Sequence, residues 1–139
     1  MTKYFLIYTF SIILFFNTSA QVANSFGSGN LKMSEKTINS FYNYISSTRK
    51  KSDKFLVTID GKGTYVWVCP QTLCLPAVES FYTKPCFKLN NNKTCKIFAT
   101  GRKVRWNTRG KVSKNLNFFE QNDSHKMLID KLKKLGFIN

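Results

Sequence analysis

The chain has 139 residues, with 22 Lys and Arg against 7 Asp and Glu, a formal net charge of +15. That length carries one hydrophobic core and not two. A single histidine, His125, excludes an acid–base pair of histidines and a His-rich metal site.

Residues 4–16, YFLIYTFSIILFF, form an uncharged apolar run preceded by Lys3 and followed by Asn17-Thr18-Ser19-Ala20. This is the order of a secretory signal peptide, with a positive start, an apolar centre and small residues before the cut. A membrane anchor needs about 20 apolar residues, and polar Asn17 ends this run too early. The sequence therefore predicts a signal peptide over 1–20, cleavage after Ala20 and a periplasmic or extracellular protein. Loss of Lys3 takes the charge from +15 to +14. Cys69, Cys74, Cys86 and Cys95 agree with an oxidising compartment, because an even number of cysteines in an exported chain favours disulfides. Structural zinc sites use two closely spaced pairs, and the Cys86 to Cys95 spacing is too long for one. No cofactor is expected.

Residues 21–33 are mostly small and polar and are expected to be a flexible lead-in. Ser34 is placed to cap a helix whose apolar stripe is Ile38, Phe41, Tyr42 and Ile45. Arg49-Lys50-Lys51-Ser52-Asp53-Lys54 is a charged link. FLVTI at 55–59, the turn Asp60-Gly61-Lys62-Gly63 and TYVWVC at 64–69 read as a hairpin. A short helix is expected over 77–83, ended by Pro85, which disfavours helical backbone at Lys84. TCKIFA at 94–99, a turn at 100–102 and KVRWN at 103–107 read as a second hairpin. A last helix starts at Asp123 or Ser124, carries Met127, Leu128, Leu132 and Leu135, and stops at Gly136.

These elements predict an α+β domain: a small antiparallel sheet of two β-hairpins with helices on one face, disulfide-linked, plus a C-terminal helix. The domain proper is placed at 34–112, and a basic segment with the amphipathic helix at 113–139. Four cysteines allow three pairings. Connections this local favour Cys69 with Cys74 and Cys86 with Cys95.

The order Y-x-W-x-C-P (Tyr65 to Pro70), Cys74, Cys86 and C-K-I-F-A-x-G-R-x-V-x-W (Cys95 to Trp106) resembles a group of small exported α-proteobacterial proteins of unknown function. Their pattern reads S-x-D-G-x-x-Y-x-Y-x-x-C-P, a helix ending in Cys, then C-x-L-F-A-x-G-R-x-I-V-W. The match covers about half of the chain. In that group the helix is uninterrupted, where this chain has Pro85-Cys86. The resemblance implies a small disulfide-linked envelope domain and supplies no catalytic residues.

Candidate chemistry is sparse. Glu79 has no second carboxylate at a defined spacing, as glycosidase chemistry requires, and no serine sits in a G-x-S-x-G elbow. A noncatalytic protein is expected. Cations stand out instead. Strand alternation puts Lys103 and Arg105 on one face, with Val104 and Trp106 on the other, in the core. Arg109 and Lys111 follow in a polar segment, and these four are the expected binding residues. Lys96, Arg102 and Lys114 would extend them. The expected function is to bind an anionic polymer or a protein partner in the cell envelope, with any nucleic-acid binding non-specific. The alternative is a protein active at the membrane surface through the basic helix at 125–138.

Overall fold

The computed structural model of the protein describes residues 25–70, 79–108 and 116–139. The expected signal peptide, Cys74, Arg109, Lys111 and Lys114 lie outside the described residues. Ser34 caps the first helix, α1 (Glu35–Ser46), as expected, its Oγ accepting the Thr37 N–H. The two hairpins follow as β1 (Lys54–Thr58) with β2 (Thr64–Trp67), and β3 (Cys95–Thr100) with β4 (Lys103–Val104). They join through an antiparallel β1–β3 pairing into one four-stranded sheet of order β2-β1-β3-β4. Gly61, at φ +73, turns the first hairpin directly beneath the Lys32 carbonyl, where no Cβ would fit.

The strands are short but fully used. Phe55, Val57, Phe98, Ala99, Val104 and Trp106 are buried on one face, against α1 and the last helix, α3 (His125–Lys134). Phe41 of α1 centres this layer, its ring within 5.1–5.3 Å of Phe55, Phe98 and Phe119. Tyr44, not the expected Tyr42, completes the α1 face in the core; Tyr42 is only partly buried and meets the edge of His125.

The other face is covered too. Leu56 and Ile97 pack there against Tyr82 and Cys86 of α2 (Ser80–Leu89), and Cys86 is bonded to Cys95 across a Cα separation of 6.1 Å. The α+β architecture is present, with helices on both faces of the sheet where one face was expected. Alternation along β1 requires this, since Leu56 points away from Phe55 and Val57 and needs cover of its own. Cys69 is disulfide-bonded as well.

Pro85 does not end α2, which runs four residues past it. Burial of Tyr82 and the disulfide at Cys86 hold the helix on the sheet on either side of the proline. It closes instead at Asn90, whose N–H donates to the Cys86 and Phe87 carbonyls, before Asn91 and Asn92 turn at positive φ.

The described part of the lead-in, residues 25–33, packs against the sheet. Phe26 and Ser28 form parallel bridges to Ile97 and Asn107, and Leu31 and Met33 are buried. Gly27 is small because the Trp106 ring lies against its backbone, and the Trp106 indole N–H donates to the Gly29 carbonyl at 3.1 Å. Small residues here serve close packing, a use that composition alone cannot separate from flexibility. At the other end Leu128, Leu132, Leu135 and Phe137 are buried in the main core, so α3 belongs to the same domain as the sheet. Met127, expected in its stripe, is 49% exposed.

Candidate functional site

Helix α1 has no basic residue in its last turn. Its carbonyl end, the negative end of the helix dipole, is met by arginines from outside. Arg49 Nε donates to the Tyr44 carbonyl at 2.7 Å, and Arg102, from the β3–β4 turn, donates to the carbonyls of Ile45 and Ser47 at 3.1 and 2.9 Å. The two guanidinium groups are thereby fixed side by side, although they lie far apart in sequence.

Asp53 ties the same region together from behind. Its buried carboxylate accepts the N–H groups of Lys50 and Cys69, each at 2.9 Å, and its carbonyl accepts the Gly101 N–H at 2.7 Å. The link at 49–51 is thus held against the β3–β4 turn. The result is a cleft of about 520 Å³ lined by Arg49, Lys50, Lys51, Arg102, Lys103 and Arg105. Among the described residues no carboxylate lines it, and Phe118 stands at its wall.

The structure therefore brings Lys103 and Arg105 together as expected, both exposed opposite buried Val104 and Trp106. Arg109 and Lys111 are outside the described residues. Lys96 lines a different pocket beside α2, with Glu79, Lys84 and Lys88. The sequence reading missed Arg49, Lys50 and Lys51 as site residues. Their signal was three consecutive cations, but the partner surface is supplied by a turn 50 residues away.

Electrostatics on this side of the sheet are positive beyond the cleft itself. Lys54, paired with Thr100 across β1–β3, sits over the rings of Trp67 and Tyr82 at 5.7 and 5.4 Å. Burial lowers its pKa, the neighbouring Arg105 lowers it further, and Asp53 opposes both.

Glu79 lines the pocket beside α2 with no second carboxylate among the lining residues. His125 is exposed, with Nε2 at 3.1 Å from Asn39 Oδ1. Among the described residues, no group of three or more His, Cys, Asp or Glu could hold a metal ion, and no helix is long and apolar enough to cross a membrane. No protein-family model, curated protein or solved structure matches the chain.

Proposed function

We propose that the protein is a noncatalytic exported domain that holds an anionic polymer, or the anionic surface of a partner, in the cleft between the 49–51 link and the β3–β4 turn. The observation that carries this reading is that, among the described residues, six cations and no carboxylate line one cleft. The Cys86–Cys95 disulfide is compatible with an oxidising compartment and supports export, as do the apolar start of the chain and its resemblance to exported α-proteobacterial proteins. Burial of Leu128, Leu132 and Leu135 supports this reading over action at a membrane surface, because that stripe is already committed to the core.

Binding of inorganic polyphosphate across a salt series tests it. Affinity should fall steeply with salt, as each neutralised phosphate releases condensed counterions. Replacing Lys103 and Arg105 together by Gln should flatten that dependence, while stability moves by less than about 0.5 kcal/mol, since both side chains are at the surface. An unchanged salt slope in the double variant would place the site elsewhere. A wild-type protein that binds no polyanion would leave a protein partner as the reading to pursue, by pull-down from envelope extract.

A further inference from the structure

The basic cleft does not end at Arg105. An adjoining cleft of about 420 Å³ shares Lys103 and Arg105 with it and continues past Asn107, Thr108 and Asn117 to Phe26. One groove therefore has a cationic half and a half that, among the described residues, offers the hydrogen-bonding groups of Asn107, Thr108 and Asn117, with the two shared cations at the junction. An aromatic ring stands on each side of that junction. Phe26 lies under the Arg105 guanidinium at 5.5 Å. Phe118, in the cationic half, is 46% exposed.

Phe118 is not a loose surface ring. Its backbone is bridged to Lys103, with the Val104 N–H donating to the Asn117 carbonyl at 2.8 Å and the Phe119 N–H to the Arg102 carbonyl at 2.9 Å. Phe119 is buried in the core, so alternation along this segment turns Phe118 outward beside Lys103. These backbone bonds fix where the exposed ring faces the cleft, beside Lys103. A flat, neutral ring system can stack on it while the charged groups attached to that ring system meet the cations.

We infer that the groove binds single-stranded nucleic acid, with a base stacked on Phe118, phosphates on Lys103 and Arg105, and base or sugar edges reaching Asn107, Thr108 and Asn117. This rests on the anion-binding reading above and names its ligand class. A uniform polyanion would use the cations and leave the Phe118 ring idle. A duplex hides its base faces and cannot use the ring. Recognition of this kind is tolerant of sequence, because every base presents a flat face.

The test compares two probes on the full chain: a labelled single-stranded oligothymidylate of about 12 nucleotides, within the span a small domain covers, and inorganic polyphosphate. Replacing Phe118 by Ala should weaken the oligonucleotide by about tenfold or more and leave polyphosphate affinity unchanged, while Phe118→Trp keeps both. Replacing Lys103 and Arg105 by Gln should weaken both probes. Because Phe118 is exposed, its variant should retain the wild-type melting temperature, which is checked alongside. If Phe118→Ala alters neither probe, or weakens both equally, the stacking site is overturned and anion binding stands. If the wild-type protein binds neither probe, the stacking site and polymer binding both fall, and a protein partner is what is left to pursue.

Discussion

Tyr44 shows how tightly the region behind the cleft is built. Its ring is buried, stacked near Phe41 and covered by the Arg49 guanidinium at 4.7 Å. Its hydroxyl makes no hydrogen bond among the described residues. Burial raises the pKa of that hydroxyl, and the charge of Asp53 raises it further. A buried hydroxyl without a partner is a cost that a phenyl ring does not carry. Replacing Tyr44 by Phe should therefore stabilise the protein by about 1 kcal/mol, read as a higher midpoint in urea with an unchanged slope. A lower midpoint would mean that the hydroxyl has a partner worth more than its burial. The cations fixed in front of Tyr44 should bind polyphosphate as before, since Arg49 is held by the Tyr44 carbonyl and not by its side chain.

Helix α2 illustrates a conflict between local signal and tertiary packing. Pro85 has no N–H to offer the Phe81 carbonyl one turn back, and sequence alone favours ending the helix there. Replacing Pro85 by Ala restores that bond, and the gain, net of the greater freedom of the unfolded chain, should be about 2 kcal/mol. Thermal melts of both proteins with the disulfide intact would show it; an unchanged melting temperature would mean that α2 is bent to suit the proline. Signals confined to a few residues were readable in advance. Ser34 and Ser124 cap α1 and α3, Gly136 ends α3 near φ +83, and Val104 and Trp106 point inward. What was hidden depends on residues remote in sequence: the burial of Leu31 and Met33, α2 on its own sheet face, and Arg49 beside Arg102. The adjacent pair Phe118-Phe119 likewise gives no hint of which ring faces water until its pairing with β4 is known. The β1–β3 ladder adds another such feature. Phe55 pairs with Ala99 and Leu56 with Ile97, so Phe98 is an extra residue in the strand. This bulge lets Phe98 and Ala99 both enter the main core and puts Thr100, and with it Lys103 and Arg105, on the opposite face.

Charge across the whole molecule is divided by role. Of the few carboxylates, Asp53 is spent on backbone N–H groups, Asp60 is paired with Lys93, and Asp123 is paired with Lys131. These acids tie the fold together, while Lys51, Lys103 and Arg105 are exposed at the cleft. Asp60 gives this a pH dependence. The Lys93 ammonium and then the Thr58 hydroxyl, both hydrogen-bonded to it, hold its carboxyl well below the usual carboxylate range. A carboxylate depressed in this way contributes its full stability above the unfolded pKa, near 3.9, and loses it as pH falls through the folded value. Replacing Lys93 by Gln should lower stability at neutral pH by less than about 1 kcal/mol, because the pair is partly exposed. The difference from wild type should shrink progressively below about pH 4. A difference that stays constant into acid would show that Lys93 acts by packing rather than by charge.

The strap at 25–33 also sets an order of events. Its partners are Ile97, Asn107 and Phe137, and the Trp106 to Gly29 bond alone spans 77 residues. A chain made from its N-terminus produces the strap first and those partners last, so at ordinary synthesis rates the segment waits several seconds, about 5 to 20. During that wait the backbone groups of the strap and the side chains of Leu31 and Met33 have no cover, and pairing with another chain competes with the native closure. Completion of the sheet is therefore a late event that depends on the final residues. The architecture therefore favours a chain that stays extended until its last partners are made.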